Sequence, residues 1–252
     1  MKIISYNLNG IRAAMTKDLV GWLQLENPDI VAIQETKAQP EQIDTILLES
    51  IGYHCYWFSA ERKGYSGVGL LSKTKPKHVE YGCGIKEYDM EGRIIRADFD
   101  DFSVISVYVP SASNIERLDF KLQFADFFLN YINEIQKNIP NLIICGDFNI
   151  CHDEIDIHNP KGLKNVSGFL PIEREWMTNF ITKCQLVDSF RFKNPETQIF
   201  SWWSYRQNAR AKNLGWRLDY HFVTKSLKNK LKNATILTDI VHSDHCPVLI
   251  EL

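Results

Sequence analysis

Short apolar runs alternate with amphipathic stretches along most of this chain of 252 residues. Runs rich in Val, Ile, Leu and aromatic side chains, bounded by polar turns, are typical of β-strands that are buried in a core. Such runs predict strands at residues 2–6, 30–33, 53–58, 68–71, 94–99, 104–109, 142–145, 220–223, 235–237 and 248–252. Glycine-bearing turns join several of these strands in the middle of the chain, which favours antiparallel pairing.

Apolar residues at helical spacing predict helices between several of these strands. The helices are expected at residues 16–26, 41–50 and 119–137, and from Pro171 onwards. In the clearest of them, Phe120, Phe124 and Phe128 recur on one side. No linker or low-complexity segment divides the sequence. We therefore predict a single domain over residues 1–252, an α/β (α+β) four-layer sandwich of two packed, largely antiparallel β-sheets flanked by helices.

Composition and charge are those of an ordinary globular protein. Hydrophobic residues make up 44% of the sequence and charged residues 24%. No apolar stretch resembles a signal peptide or could span a bilayer, so we expect a cytoplasmic protein without a membrane partner. The six cysteines form no C-x-x-C pair, which indicates reduced thiols rather than a zinc site or a disulfide frame. The net charge of −2 gives no overall attraction to nucleic acid, so a polyanion would need a local positive patch.

Polar side chains that can bind a metal or move a proton follow or precede many of the predicted strands. They are Asn7 and Asn9, Glu35, Tyr108, Asp147 and Asn149, and Asp244 and His245. Gly, Asp and Asn also favour turns for local reasons, so one such segment alone fits a turn as well as a site. The recurrence favours the site, because loops at one edge of a sheet gather catalytic groups on a rigid support.

This set of side chains restricts the chemistry. It lacks an activated Ser or Cys nucleophile and a Walker-type glycine loop. It suits a hard cation such as Mg²⁺, which takes one or two carboxylates and keeps several waters. It also suits attack by water on a phosphate ester, in which an acid takes the proton and polar donors hold the phosphoryl oxygens.

Six motifs in order along the chain also resemble one enzyme family. They are N-L-N-G-I-R at residues 7–12, I-Q-E-T-K at 33–37, Y-V-P at 108–110, G-D-F-N at 146–149, N-x-G-W-R-L-D-Y at 213–220 and S-D-H-C-P at 243–247. Together they resemble the exodeoxyribonuclease III family of apurinic/apyrimidinic endonucleases, within the endonuclease/exonuclease/phosphatase superfamily. Each motif is weak alone, but the six span nearly the whole chain and are specific as a set.

The resemblance implies where a metal would be held. Mg²⁺, for which Mn²⁺ could substitute, would be bound by Glu35 with Asn7 and Asp244, although Asp244 could instead cap its own turn. A second metal ion would be bound by Asn9, Asp147, Asn149 and His245. Whether one metal or two take part is left open by the sequence.

The same resemblance implies a catalytic set. Asp147 would position or deprotonate the attacking water, and Asn149 would bond a phosphate oxygen. Tyr108 would lie at the phosphate or at the leaving oxygen. His245 would contact the phosphate and Asp219 would orient it, which is physically reasonable because an adjacent carboxylate favours imidazolium and fixes the ring.

An aromatic and basic stretch at residues 202–218 is the expected DNA-binding surface. It contains no acid, and its mixture of aromatic and basic residues is typical of a phosphate track beside a stacking surface. It could also be a buried aromatic cluster with solvated arginines. The resemblance implies that Trp202 and Trp216 form an apolar pocket for a flipped-out abasic sugar, which costs little to unstack. Arg206, Arg210, Lys212 and Arg217 supply the positive charges of this expected track. The predicted polar DNA contacts are Arg206, Arg210 and Lys212, with Asn159 in an earlier loop.

The predicted function is that of a Mg²⁺-dependent phosphodiesterase acting on double-stranded DNA as a monomer. It would cut 5′ to an abasic site and would trim 3′ ends or 3′ blocking groups, including those of 3′-recessed duplexes. Asn114 and Leu163 stand where some relatives carry an arginine and an asparagine, which leaves the balance between incision and 3′-exonuclease activity open.

Two alternatives remain at this point. The same residues could hydrolyse another phosphoester, such as an inositol phosphate, a sphingolipid or RNA. The chain could instead be a DNA-binding module whose active site is vestigial.

Overall fold

The computed structural model describes residues 1–252, apart from the side chain of Ile115. Most of the strands belong to two six-stranded sheets. In chain order they are β1 (Lys2–Asn7), β2 (Ile30–Gln34), β3 (His54–Phe58), β4 (Val68–Ser72), β5 (His78–Tyr81), β6 (Ile94–Asp98), β7 (Ser103–Tyr108), β8 (Leu142–Asp147), β9 (Leu186–Asp188), β10 (Trp202–Trp203), β11 (Gly215–Trp216), β12 (Asp219–Thr224), β13 (Asn233–Ile236) and β14 (Val248–Glu251).

The two large sheets are mixed but mainly antiparallel. In the first sheet the strand order is β13-β14-β1-β2-β4-β3, and β1 and β2 run parallel. In the second sheet the order is β5-β6-β7-β8-β12-β9, and β7 and β8 run parallel. The strands β10 and β11 form a separate antiparallel pair. Each parallel pair brings the carboxyl ends of two strands to one edge of its sheet.

Helices cover the outer faces of both sheets. They are α1 (Ile11–Met15), α2 (Leu19–Glu26), α3 (Thr45–Ser50), α4 (Lys86–Asp89), α5 (Leu118–Gln136), α6 (Pro160–Leu163), α7 (Pro171–Lys183) and α8 (Ser189–Lys193). Phe128 of α5 and Phe180 of α7 pack with Ile144 on the second sheet. Leu23 of α2 packs with Val31 on the first sheet. The layers are therefore helices, sheet, sheet and helices, which confirms the predicted four-layer sandwich.

The central strand β8 shows why its sequence is apolar throughout. Ile143 and Cys145 point between the two sheets, where they belong to the same cluster as Ile3 of the first sheet. Leu142 and Ile144 point the other way, into the core beneath α5 and α7. A strand that is covered on both faces has no polar alternation, so it gives a clear apolar run.

The amphipathic helix α5 has the character predicted from its phenylalanines. Its inner side carries Phe124 and Phe128, both fully buried, while Asp126 on its outer side is exposed. No helix in the described part of the chain is both long enough and apolar enough to cross a lipid bilayer.

Helix breaks and polar edge strands were the features that the apolar pattern predicted least well. The helix expected at residues 16–26 begins only at Leu19, because Asp18 adopts a left-handed backbone (φ 66°) that separates α1 from α2. The helix expected at residues 41–50 begins at Thr45. The pattern predicts neither β5 nor β9, which lie at the two edges of the second sheet. An edge strand that is mostly exposed, as β5 is, carries no apolar run.

The substitution Ile144→Ala should lower the free energy of unfolding by about 2–5 kcal/mol, because it leaves a cavity at a fully buried position beneath α5 and α7. Leu25→Ala is the matched control, since Leu25 is 85% exposed, and it should change that free energy by less than about 0.5 kcal/mol. Urea unfolding followed by circular dichroism measures both. Equal effects of the two substitutions would contradict this assignment of layers.

Candidate active site

Strand direction brings the predicted site residues to one edge of the sandwich. Asn7 ends β1, and Glu35 follows β2, which runs parallel to β1. In the second sheet, Tyr108 at the end of β7 is the register partner of Asp147 at the end of β8. Asp219 begins the antiparallel strand β12 directly opposite Asp147. The ends of five strands that are distant in sequence therefore meet at one place.

The amide of Asn7 links the two sheets at this edge. Its Nδ2 donates to Glu35 Oε1 at 2.8 Å and to Asp147 Oδ2 at 2.8 Å. Its Oδ1 accepts the backbone N–H of Asn9 at 2.9 Å. The side chain of Asn7 is buried, and it presents its nitrogen rather than its oxygen to the two acids. Asn7 therefore orients the two carboxylates.

Glu35, Asp147 and His245 lie close together, and in their deprotonated forms these side chains could share a metal ion. One potential ligand atom from each lies within 4.8 Å of those of the other two. Lys37 Nζ lies 2.7 Å from Glu35 Oε2 and also donates to Asn9 Oδ1. Lys37 belongs to the I-Q-E-T-K motif, but sequence reasoning gave it no role because this contact depends on the turn that follows Glu35.

Asp244 lies outside that close group. Its Oδ1 accepts from Asn9 Nδ2 at 2.9 Å and from Ser243 Oγ at 3.1 Å. Its Oδ2 accepts from Trp202 Nε1 at 3.0 Å. Asp244 therefore joins the S-D-H turn to the loop after β1 and to the aromatic side of the site.

His245 is paired with a buried acid. Its Nδ1 lies 2.8 Å from Asp219 Oδ2, and its Nε2 lies 3.9 Å from Asp147 Oδ2. Burial lowers the pKa of His245, but the carboxylate of Asp219 and then that of Asp147 raise it to about 10. Ser201 Oγ donates to the same oxygen of Asp219 at 2.6 Å and holds it in place. The ring is therefore an imidazolium at neutral pH.

The carboxyl group of Asp147 has an unusually high pKa. Burial disfavours its charged form and raises its pKa to about 7, although the imidazolium of His245 opposes this shift. The backbone N–H of Asn149 donates to Asp147 Oδ1 at 2.8 Å. Asn149 Nδ2 donates to the carbonyl oxygen of Val109 at 3.0 Å and to Asp147 Oδ2 at 3.3 Å. The longer of these two bonds is the one that a phosphate oxygen could replace.

Tyr108 is held from behind by Arg93. The guanidinium carbon of Arg93 lies 4.9 Å from the centroid of the Tyr108 ring, and Nη1 donates to the Tyr108 carbonyl oxygen at 2.8 Å. Burial, and then the nearby carboxylates of Glu35 and Asp147, raise the pKa of Tyr108 well above its usual value. The phenol therefore stays protonated and can donate a hydrogen bond. Sequence reasoning missed Arg93, because one arginine beside a strand carries no signal of its partner.

These groups lie in the wall of a cavity of about 510 Å³. Trp202, Trp216 and Leu218 contribute to an apolar side, while Asp147 and His245 contribute to a polar side. The two indole rings are cross-strand neighbours that meet edge to face, with centroids 6.3 Å apart. The cavity is thus suited to a ligand with both an apolar face and a charged group.

The basic residues near these tryptophans have different surroundings. Arg206 and Lys212 are exposed and lie outside the lining of the cavity. Arg210 is instead tied to the loop before β14, where it donates to the carbonyl oxygen of Thr238 at 2.7 Å. Its guanidinium carbon also lies 4.7 Å from the ring centroid of Trp203. Arg210 therefore supports the loop that carries the S-D-H turn.

Arg217 is not part of a phosphate track, and the prediction for it was wrong. It is fully buried, and its Nε and Nη2 donate to the carboxylate of Asp156 at 2.8 and 2.9 Å. Its Nη2 also donates to Asp188 at 2.8 Å. Arg217 thus fastens the strand that carries Trp216 to the loop after β8. Asn159, at the end of that loop, is exposed outside the cavity lining and caps α6.

Left-handed backbone conformations cluster around the cavity. Asn9 (φ 46°), Glu35 (φ 50°), Lys37 (φ 48°) and Asn149 (φ 52°) all have positive φ. Residues with a Cβ pay a steric cost in this region, so the surrounding hydrogen bonds must hold them there. All four residues line the cavity, so these turns present their side chains to it.

Comparison with known proteins agrees with this arrangement. The model of the Endonuclease/Exonuclease/phosphatase family matches residues 4–245. The exodeoxyribonuclease of Bacillus subtilis (strain 168) is 46% identical over 251 residues, which cover 98% of this chain and 98% of that protein.

Two solved structures share the fold over the whole chain. An AP endonuclease from Archaeoglobus fulgidus is 29% identical with a TM-score of 0.89, covering 100% of this chain and 98% of that one. A 3′ phosphatase from Neisseria, bound to a product DNA hairpin, is 28% identical with a TM-score of 0.92, again covering 100% and 98%.

Removal of the Asp219 carboxylate should lower the pKa of His245. In Asp219→Asn, NMR titration of the metal-free protein should find His245 titrating well below its wild-type value of about 10. A raised histidine pKa stabilises the folded state fully below about pH 6.5, and this stabilisation is lost as the pH rises through the folded-state value.

The stability lost in Asp219→Asn should therefore be greater at about pH 6 than at about pH 9.5, as measured by urea unfolding. Asp239→Asn, at an exposed acid, is the control and should show no such difference. If Asp219→Asn lost equal stability at both pH values, the ion pair would not exist in solution.

Proposed function

Because the chain belongs to the endonuclease/exonuclease/phosphatase family, we propose that it is a DNA repair phosphodiesterase that uses a divalent cation. It hydrolyses double-stranded DNA on the 5′ side of abasic sites, and it also removes nucleotides or blocking groups from 3′ ends. Residues 1–252 act as one catalytic domain, and the protein works as a monomer in the cytoplasm.

The observation that carries this proposal is the approach of Glu35, Asp147 and His245 in the wall of a cavity that also contains Trp202 and Trp216. Two acids and an imidazolium supply the groups for hydrolysis of a phosphate ester. The apolar wall beside them supplies a surface for a sugar or a base. Few other functions would require a cavity with charged groups for a phosphate on one side and an apolar surface for a sugar or a base on the other.

The donor set fits a hard cation, and we propose Mg²⁺, with Mn²⁺ as a substitute. Glu35 would hold it, since carboxylate oxygens are the ligands that Mg²⁺ prefers, and Asp147 would remain free to act as a base. His245 is protonated at neutral pH and has no lone pair for a metal, so a single ion is favoured over two. When bound, the cation neutralises charge on the phosphate oxygens. Asn7 orients the two acids, and Lys37 would give up its contact with Glu35.

Asp147 takes the proton of the attacking water. A carboxylate with a pKa near neutrality is a better base than an ordinary one, and burial gives Asp147 this property. The backbone N–H of Asn149 and the Nδ2 of Asn7 fix both of its oxygens. Its orientation is therefore set before the substrate arrives, which reduces the entropy lost in reaching the transition state.

Three donors hold the phosphate. His245 supplies an imidazolium that Asp219 keeps protonated, and Asn149 supplies its amide. Tyr108 supplies a phenol that stays protonated and can donate to a phosphate oxygen or to the leaving oxygen. All three sit at strand ends, so they stabilise the developing charge without reorganisation.

Selection of the substrate is assigned to the tryptophan wall. A nucleotide without a base is easily unstacked, and its sugar can enter an apolar pocket that an intact nucleotide does not fit. Trp202 and Trp216 form this wall, and Asp244 fixes the indole of Trp202. The relatives named above, an exodeoxyribonuclease, an AP endonuclease and a 3′ phosphatase, support DNA with abasic sites or modified 3′ ends as the substrate.

The test is incision of an abasic duplex compared with undamaged duplex, 3′-recessed duplex, RNA and an inositol phosphate, each with Mg²⁺ and with EDTA. We expect cleavage 5′ to the abasic site and trimming of the recessed 3′ end, both only with Mg²⁺ or Mn²⁺. Asp147→Asn should reduce kcat by at least about 10³-fold while DNA binding is retained. Asp126→Asn, at an exposed acid on α5, is the control. Preference for a substrate other than DNA, or full activity of Asp147→Asn, would refute the proposal.

Substitution of Lys212 and of Arg210 should have different effects, the first on the salt dependence of DNA binding and the second on kcat. Lys212→Ala should reduce the slope of log K against log salt by about one, because it removes one exposed phosphate contact. Arg210→Ala should mainly reduce kcat, since Arg210 holds backbone carbonyls near the S-D-H turn. Fluorescence anisotropy with an abasic duplex over a range of salt measures the slope. A salt slope that is unchanged in Lys212→Ala would exclude Lys212 from phosphate contact.

A further inference from the structure

A buried ion pair lies behind the catalytic loop and has no part in the function proposed above. Lys121 Nζ contacts Glu173 Oε1, and the two side chains are only 1% and 0% exposed. Lys121 belongs to α5 and Glu173 to α7, so the pair joins two helices of the outer layer. A pair so enclosed rarely adds net stability over apolar side chains, because desolvation offsets the attraction. The other hydrogen bonds of Lys121 and Glu173 show which segments the pair holds in place.

Lys121 fixes the turn that follows Asp147. Its Nζ donates to the carbonyl oxygen of Asn149 at 2.7 Å. Asn149 has a left-handed backbone (φ 52°), and its N–H donates to Asp147 Oδ1. An ammonium group on the carbonyl oxygen of this residue keeps the strained turn in place. The orientation of the Asp147 carboxylate therefore depends in part on Lys121.

Glu173 fixes a neighbouring part of the cavity wall, at Ser167 and Gly168. Its Oε2 accepts the backbone N–H of Gly168 at 2.6 Å and that of Leu170 at 3.0 Å. Its Oε1 accepts Ser167 Oγ at 3.2 Å. Ser167 and Gly168 both line the cavity, and Gly168 lies against Trp216.

The two walls held by this pair are in close contact with each other. A Cβ atom at Gly168 would lie 3.1 Å from the ring of Trp216 and 3.2 Å from the carbonyl oxygen of Asn149. The Gly168 carbonyl oxygen also accepts the N–H of Cys151 at 2.7 Å. Even a methyl group at Gly168 would press on both neighbours, so the wall and the turn are closely packed and we expect a shift of one to move the other.

We propose that Lys121 and Glu173 are positioning residues that hold the Asn149 turn and the Ser167–Gly168 wall in register, and thereby place Asp147 against the scissile phosphate. This inference rests on the proposed function, because it assigns the pair to the chemistry of that same cavity. Lys121 contributes to the lining of the cavity, but its side chain is only 1% exposed and that of Glu173 is 0% exposed, so we assign both residues to positioning rather than to contact with the substrate. A misplacement of about 1 Å at the reacting centre is enough to slow an enzyme about 10²-fold.

The experiment uses the double variant Lys121→Met/Glu173→Gln. It removes both charges together, so neither is left unpaired in the interior, and Gln keeps an oxygen for the Gly168 amide. On an abasic duplex with Mg²⁺ we expect kcat to fall about 10- to 100-fold while KM stays within about threefold. Thermal melting should remain near that of the wild type. Amide hydrogen exchange should accelerate at residues 148–151.

Lys2→Met is the control, because it removes an ion pair with Glu26 that lies at the far end of β1. It should leave kcat and the exchange at residues 148–151 unchanged. A double variant that melts like the wild type and has wild-type kcat, or that changes KM alone, would overturn the proposal and leave the pair as a structural feature.

Two further outcomes of the experiment also decide the role of the pair. If the double variant does not fold, Glu173→Gln alone decides, with an expected fall in kcat of about three- to tenfold at unchanged KM; wild-type kcat would overturn the proposal. If the wild type itself cleaves none of the substrates, the proposed function has failed, and hydrogen exchange still tests the pair. Unchanged exchange at residues 148–151 in a folded variant lacking Lys121 would overturn it.

Discussion

The hydrogen bonds of the Asn7 amide are the interaction on which the whole site depends. One buried nitrogen donates to Glu35 from the first sheet and to Asp147 from the second sheet. Two carboxylates in a buried site repel each other, and their charged forms lose the solvation that water would give them. A donor placed between them offsets part of this cost and leaves both acids facing the cavity. The site therefore exists only where the edges of the two sheets are held together.

The layers of the fold supply this constraint. Each sheet contains one parallel pair, β1–β2 and β7–β8, and both pairs end at the same edge. The apolar side chains between the sheets fix the distance between these edges, since close-packed interiors do not deform easily. Around this core, buried charges outside the cavity hold the surrounding elements: Arg93 behind Tyr108, and Arg217 against Asp156.

Much of the fold could be predicted because central strands covered on both faces are apolar at every position, as in residues 142–145. The polar residues at strand ends identified the site, and the order of the six motifs identified the family. What could not be predicted depends on long-range contacts. Arg217 looked like a phosphate ligand because its real partners are not visible in the local sequence. It is buried against Asp156 and Asp188, which lie in segments that are distant along the chain.

The dependence on long-range contacts also explains the other differences between the predicted and the observed structure. The break at Asp18 requires a left-handed residue that no apolar pattern reveals. The edge strand β5 is mostly exposed, so its sequence contains no apolar run. Arg210 and Lys212 look alike in the sequence, yet one binds backbone carbonyls and the other faces solvent. In each case the residue type is compatible with several environments, and only the packing of distant elements selects one.

We propose that Glu35 holds one divalent cation beside Asp147 and His245, and the rest of the proposed mechanism depends on this ion. The most direct measurement is anomalous diffraction from crystals soaked in Mn²⁺. We expect a single anomalous peak within about 2.0–2.4 Å of a carboxylate oxygen of Glu35, on the cavity side of Asp147. A peak at another part of the surface, with none beside Glu35 and Asp147, would contradict it.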